Sequence, residues 1–390
     1  MDPKKKKFVY IRFCLLQLTY WGCFATFTSY FVALMLANGM SSTTASLIQA
    51  VYLLTAFLGS FLWGSVSDRM HTNRKTFLIQ LALVLIFANL IYQFRQTHWL
   101  VAVLYPVLGF SLVPVASNLD SWIIKSFPEN PNYYGVTRAV SAIGFGVLAL
   151  VMGQLVGRVG YHVMPYGLTF MAVSSLVLAF LQPDSPTVGV RLSERLSVKD
   201  IGGLFKIRPY VILLITLLLA GLAIVPISYM KLLFYQSVGG TVQWVGYESM
   251  VGCCVQFPIF LAAGKMKMIP TTTRMLIAVL GILLMLIFYF AGRAPIVLLC
   301  GAIFYFIGYS ILLPTYREMG MRIIEGKLMT TAQSLLDAVF GSLAGMTGLF
   351  YAGYVIDNLG TRTMVGINLA VLAIPLFLVV SQFIKARRER

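Results

Sequence analysis

Apolar stretches of about twenty residues follow one another along this chain from end to end, and that pattern leaves few folds open. Where no water reaches, a spanning segment must satisfy its backbone groups internally, so it is a helix or part of a closed barrel. Of the 390 residues, 59% are apolar and 11% charged, against about 45–50% and about 25% in soluble domains. The excess is too large for one oversized core, since single cores stop growing near ~250–300 residues. Soluble enzymes, nucleic-acid binders and secreted disulfide scaffolds are excluded. A membrane barrel would alternate apolar and polar residues in strands of about 10, which this chain does not do. The net charge of +17 forms no basic patch interleaved with aromatics, so no nucleic-acid partner is expected. The five cysteines, Cys14, Cys23, Cys253, Cys254 and Cys300, lie inside apolar spans at spacings that match no zinc site. No metal or other cofactor is expected.

The pattern segments into twelve spans, at about 10–37, 44–67, 75–94, 99–126, 133–157, 162–182, 209–236, 243–263, 272–291, 295–323, 328–356 and 363–384. Lys4 to Lys7 precede the first span without a small-residue cleavage site, so the first span reads as a retained helix. The longest polar gap, Gln182 to Arg208, splits the chain into an N-terminal six-helix bundle (1–182), a linker (183–208) and a C-terminal six-helix bundle (209–390). Charge placement supports an even count. With the N-terminus inside, the inside connections hold Arg69, Arg74, Lys75, Lys125, Arg191, Arg195, Lys199, Lys206, Arg208, Lys265, Lys267, Arg274, Arg317, Arg322, Lys327 and the basic C-terminus. The outside ones hold Arg95, Arg158, Arg293 and Arg362. By the positive-inside rule both termini are expected in the cytoplasm, in a monomeric multi-pass protein surrounded by cell-membrane lipid. Two related halves suit a transporter whose site lies between them and whose access alternates. A twelve-helix receptor or membrane enzyme shares this layout.

The second connection reads Gly64-Ser-Val-Ser-Asp68-Arg69-Met-His-Thr-Asn-Arg74-Lys75. It resembles the gating-loop signature of the major facilitator superfamily, G-x-x-x-D-R/K-x-G-R/K-R/K, with the second glycine missing and the turn about two residues longer. Gly64 would let two helices approach closely, Asp68 would cap or pair with a helix terminus, and the cations would meet anionic headgroups. Spans 4 and 5 read Asn118-Leu-Asp120-Ser-Trp122-Ile-Ile-Lys125, Tyr134-Gly135-Val-Thr-Arg138 and Ile143-Gly144-Phe145-Gly146. These are similar to lactose-permease-type sugar/proton symporters and the related phenylpropionate permeases. The resemblance implies that Asp120 and Arg138 are polar sugar ligands and that Phe145 is the stacking ring. Lys125 falls where that permease also has a lysine. Charges in lipid are costly unless they pair or face a cavity, which supports the same two residues. A cytoplasmic-end ion pair between spans 4 and 5 is the alternative.

The C-terminal half departs from that permease. Span 10 has neither histidine nor acid in its apolar body, and Cys253 stands at the span 8 acid position. His71, His98 and His162 all fall at connections, so no histidine proton relay is expected. Asp337 lies about 15 Å in from Lys327 along a straight helix. Desolvation there would bring the neutral and charged forms of a carboxyl closer in energy. Asp337 is therefore the expected proton-exchanging acid, with Lys231 either its partner or snorkelling to the outer boundary. Trp122, Asn118, Gln17, Tyr20, Gln256 and Gln333 complete the candidate substrate ligands; Gln17, Tyr20 and Trp21 share one helical stripe. With no Walker motif, coupling is expected to be secondary. Span 5 has glycines but no proline, unlike exporters of the superfamily, which favours import. The expected function is proton-coupled import of a small polar solute such as a sugar or oligosaccharide. A carboxylate or aromatic-acid carrier, a multidrug exporter and a non-transporting sensor are the alternatives. A cysteine placed at Lys199 is expected to react with a membrane-impermeant maleimide only after the cytoplasmic face is opened; labelling of intact cells from outside overturns the twelve-span topology.

Overall fold

The computed structural model describes residues 3–127, 132–184, 202–262, 266, 268–324 and 328–388; of these, the side chains of residues 3–5, 68, 132, 134 and 330 lie outside the described set. Its helices are α1 (Pro3–Thr26), α2 (Phe31–Ala37), α3 (Ser42–Met70), α4 (Asn73–Gln93), α5 (His98–Ser126), α6 (Asn132–Val159) and α7 (Val163–Phe180). They continue with α8 (Arg208–Tyr229), α9 (Lys231–Gln236), α10 (Gln243–Leu261), α11 (Thr271–Ala291), α12 (Pro295–Ile323), α13 (Met329–Asp337) and α14 (Ala344–Arg388). A π-helical turn, Ala338–Leu343, joins α13 to α14. The described residues contain no strand.

Ten of the described helical segments are long and apolar enough to cross a membrane. The last, Thr331–Arg388, has 58 residues, about 87 Å if straight against a hydrocarbon core of about 30 Å. It breaks at Gly360, whose φ of 83° interrupts the helix, so it supplies two crossings. Helix α10 has the length of a span, while Gln243, Glu248 and Gln256 lower its apolarity. With both included, the count reaches the twelve read from the sequence.

The chain divides into two compact units. The first holds α1 to α7 together with Val242–Cys253. The second holds α8, α9 and the chain from Cys254 onward. Residues 185–201 of the expected linker, with Arg191, Arg195 and Lys199, lie outside the described residues, as do Lys265, Lys267 and Lys327. In the first unit α3 packs on α5, α5 on α4, and α1 on both α6 and α7. In the second, α11 packs on α12, and α14 on α8 and α11.

Small residues let these helices approach. At Gly281 on α11 a Cβ would come within 2.6 Å of the Phe304 carbonyl oxygen, and at Gly308 on α12 within 2.6 Å of the Ala278 carbonyl oxygen. Neither backbone can yield. Polar side chains add cross-helix bonds of the kind membrane interiors use: Asn368 on α14 donates to the Ala223 carbonyl of α8 at 2.9 Å and accepts from Tyr351. Gly64 corrects the sequence reading. Among the described residues a Cβ there would meet nothing within 4 Å, so Gly64 makes no close helix contact with them. The position of the signature's absent second glycine is filled by His71, which takes φ 50° itself. A left-handed residue is thus still used to turn from α3 to α4, at a conformational cost that glycine would not bear. Gly281→Leu should cost about 1–3 kcal/mol through overpacking, lowering the melting temperature in detergent by several degrees. Gly64→Ala should leave the melt unchanged; equal shifts for the two would overturn this packing account.

Candidate functional site

In the first unit, α1, α5 and α6 bring four polar or aromatic side chains together. Gln17 is buried, and its amide donates to Asp120 Oδ1 at 2.8 Å. Trp21, one turn further along α1, donates its indole N–H to Gln17 Oε1 at 3.1 Å. Arg138 Nη1 stands 3.9 Å from Asp120 Oδ2, and its guanidinium lies 5.1 Å from the Trp21 ring centre. The side chains of Arg138 and Asp120 are 39% and 20% exposed. Gln17 therefore orients one carboxylate oxygen, while the other meets Arg138 at a distance too long for a tight hydrogen bond. The guanidinium carries only donors and the carboxylate only acceptors, so the pair sets both senses of hydrogen bond side by side. The indole lies beside them as a flat apolar surface that also attracts the guanidinium.

The sequence explains why Asp120 and Arg138 meet. Asp120 stands six residues before the end of α5 at Ser126, and Arg138 six residues after the start of α6 at Asn132. In an antiparallel helical hairpin, residues equidistant from the turn lie opposite one another. Phe145 is two turns beyond Arg138 on the same face of α6, half-buried.

Other expected ligands are placed elsewhere. Tyr20 is fully buried, with its hydroxyl donating to the Leu112 carbonyl at 2.9 Å; it packs α1 on α5 and faces no opening. Trp122 is fully buried against Phe13 and Phe77, and its indole N–H goes to the Pro183 carbonyl at 3.1 Å. Asn118 accepts from Asn73 at 2.8 Å and donates to Gln80 Oε1 at 3.4 Å, tying α5 to α4. These three are packing residues. Gln256, on α10 in the second unit, is half-buried.

The second unit has its own charged centre. Tyr316 donates its hydroxyl to Asp337 Oδ1 at 2.5 Å. Arg317 reaches Asp337 through Nη2, 3.2 Å from Oδ1 and 3.1 Å from Oδ2. Gln333 donates to the Arg317 carbonyl at 2.8 Å, holding α13 against α12. The sequence reading left Asp337 without a definite cation and suggested Lys231; the cation is Arg317. Lys231 opens α9, half-buried. Arg317 was missed because it was counted with the connection that follows, whereas α12 runs to Ile323. A signal was present: Arg317 stands six residues before the end of α12 at Ile323 and Asp337 eight residues after the start of α13 at Met329, close to a hairpin register. Two further acids lie within the helices. Glu248 is buried in α10, and Glu318 on α12 bonds Arg274 at 2.5 Å and Arg322 at 2.6 Å.

At the α3–α4 turn, Thr72 caps α4 by accepting from the Lys75 backbone N–H at 3.2 Å. Asp184 accepts from the Thr72 hydroxyl and from the Arg74 backbone N–H, while Arg74 donates to the Gln182 carbonyl at 3.2 Å. Arg69 and Lys75 are exposed, and the Asp68 side chain lies outside the described set.

The sequence model of the MFS_1 like family matches residues 10–365. The chain belongs to this family, within the major facilitator superfamily. It is therefore a multi-pass membrane transporter, as the α3–α4 turn suggested. The maltose permease of Geobacillus stearothermophilus is 24% identical over 300 residues, spanning 76% of this chain and 75% of the permease. The structure of the nucleoside transporter NupG superposes with a TM-score of 0.79 at 14% identity, covering 96% of this chain and 99% of NupG. A D-xylose-proton symporter superposes with a TM-score of 0.72 at 15% identity, covering 95% and 96%. At these identities the solved structures show the shared fold. In this transporter, Asp120→Asn and Arg138→Lys should each weaken solute binding at least about tenfold, because lysine cannot reproduce the guanidinium fork. Binding by calorimetry, with size-exclusion profiles unchanged, checks this; wild-type affinity in both variants removes the pair from the site.

Proposed function

We propose that this transporter imports a small polar organic solute, a sugar or oligosaccharide, together with protons. The bundles 1–182 and 209–390, joined by 183–208, would alternate access across the cell membrane with both termini in the cytoplasm and a single chain as the working unit. The observation that carries the reading is the Gln17–Asp120–Arg138–Trp21 constellation. A carboxylate and a guanidinium side by side offer several directional bonds to hydroxyls, and an indole suits the C–H face of a sugar ring. Phe145 on the same face of α6 would extend that apolar surface. The maltose permease relative and the xylose-proton symporter fold point the same way. An acid carrier using Arg138 as its anion clamp is less well supported, because Asp120 already offsets that charge at 3.9 Å. Gln256 and Gln333 would contribute from the second unit.

Coupling is assigned to Asp337, with Lys231 as a further participant. An acid that exchanges a proton between two access states needs partners that can let go of it. Arg317 and Tyr316 are such partners, and the Asp337 side chain is 42% exposed even while it is bonded to them. The π-helical turn that begins at Ala338 is a register defect, a place where a helix can shift by one residue. In proteoliposomes, wild-type protein should concentrate a radiolabelled disaccharide several-fold when the outside is acid. Asp337→Asn should lose that accumulation while retaining solute exchange. If the variant still concentrates solute under a proton gradient, Asp337 is structural and coupling rests elsewhere.

A further inference from the structure

Gln17 sits at the centre of the first-unit constellation but is itself fully buried, so no solute touches it. Its amide is used at both ends. Nε2 donates to Asp120 Oδ1 at 2.8 Å, and Oε1 accepts from the Trp21 indole N–H at 3.1 Å. A carboxylate only accepts and an indole nitrogen only donates, so a single orientation of the amide serves both. Trp21 is fixed in turn. Phe24 stacks on it with ring centres 5.2 Å apart, and the fully buried Tyr20 meets it edge-on at 5.6 Å. Gln17 and Trp21 lie one turn apart on α1, and each engages one member of the charged pair from that helix. Gln17 holds the carboxylate, and the Trp21 ring holds the guanidinium 5.1 Å from its centre.

Between these two holds, Asp120 and Arg138 stand 3.9 Å apart, about 1 Å beyond the length of a charge-assisted hydrogen bond. Both side chains are partly exposed, so the attraction that would close them is weak. The attraction of a guanidinium to an indole is of similar size, so the ring can keep Arg138 from closing on the acid. The gap matters to a hydroxyl. An oxygen within hydrogen-bond reach of both Nη1 and Oδ2 sees them at roughly 90° across this gap. That is near the roughly 110° between the donor and acceptor directions of a hydroxyl. In a closed pair the angle falls to roughly 60°, too sharp for one hydroxyl to serve both groups.

We propose that Gln17 and Trp21 are positioning residues: they hold Asp120 and Arg138 at the spacing that one solute hydroxyl bridges, accepting from the guanidinium and donating to the carboxylate. The proposal rests on the reading of this constellation as the solute site. It places selectivity in the spacing. A hydroxyl fits because it both accepts and donates, whereas an anionic solute offers acceptors only and meets Asp120 as a like charge. Part of the affinity then comes from preorganisation, since the solute does not have to open an ion pair.

Two measurements on the full-length transporter in detergent test this. The first uses no solute. Asp120→Asn, Arg138→Gln and the double variant form a cycle, read as melting temperatures, in the wild-type and Trp21→Leu backgrounds. If Trp21 holds the pair open, its loss lets the pair close and couples the two charges. The non-additivity should be small in wild type and at least twice as large in Trp21→Leu. Lost packing at Trp21 would lower all four melts together and leave the non-additivity unchanged. Gln17→Met removes the other hold and runs through the same cycle with the same expectation, so the folding of one variant does not decide the test. Trp21→Phe keeps a ring for the guanidinium and should stay near the wild-type value; coupling as large as in Trp21→Leu overturns the part given to the ring. Equal non-additivity in every background overturns the proposal. The second measurement titrates maltose by calorimetry. Trp21→Leu and Gln17→Met should each weaken binding at least fivefold although both charged ligands remain, and wild-type affinity in both overturns the proposal. A wild type that binds no maltose overturns the sugar reading instead, and the solute-free cycle then decides the spacing by itself.

Discussion

A charged side chain within an apolar span must find a partner, and the placement of nearly every functional group described above follows from that constraint. Three clusters meet it. Asp120 is held by Gln17 and approached by Arg138; Asp337 is held by Tyr316 and Arg317; Glu318 bonds both Arg274 and Arg322. The first two are built the same way. Each joins the two arms of a helical hairpin, α5 with α6 and α12 with α13, at positions at or near equal distance from the helix ends. Their polarity is reversed: the first unit has the acid before the turn and the base after it, the second unit the base before and the acid after. The pairing therefore follows from hairpin geometry and does not need a particular residue at a particular place.

The two pairs differ in how they are held, and the difference suits different tasks. Asp120 receives one firm bond from a buried glutamine, while its arginine stays 3.9 Å away and rests beside an indole. That arrangement sets guanidinium donors beside carboxylate acceptors. Asp337 receives a tyrosine hydroxyl and two contacts from a guanidinium of α12, and its own helix α13 ends in a π-helical turn. That arrangement gives Asp337 more bonds than Asp120 receives from its own arginine, on side chains that stay partly exposed. The Glu318 cluster has a buried arginine whose Nε is also taken by the Ile269 carbonyl, and it anchors the start of α11.

Much of this was legible in the amino-acid order. Span number, the Asp120–Arg138 register, the basic turn after α3 and the family resemblance all rest on local patterns: length of apolar runs, spacing along a hairpin, and the sign of charges between spans. The errors came where a side chain's direction decides. Gln17, Tyr20 and Trp21 share a stripe, yet only Gln17 and Trp21 reach the carboxylate centre, because Tyr20 is drawn to the Leu112 carbonyl. Trp122 and Asn118 stand close to Asp120 in sequence and point into packing. Gly64 sits in a signature that suggests close helix contact, and it borders open space.

What the sequence determined by itself was the architecture of a many-helix membrane protein, because the need to satisfy every backbone group within lipid leaves a run of apolar residues one solution. It also determined that a charged pair would sit between spans 4 and 5, since the turn fixes which residues face each other. Only the tertiary structure decided that Arg317 rather than Lys231 holds Asp337, and that His71 takes the left-handed turn in place of glycine. Those outcomes depend on where helix ends fall and how helices rotate about their axes. Both are set by side-chain packing between segments far apart in the chain, and no local pattern encodes them.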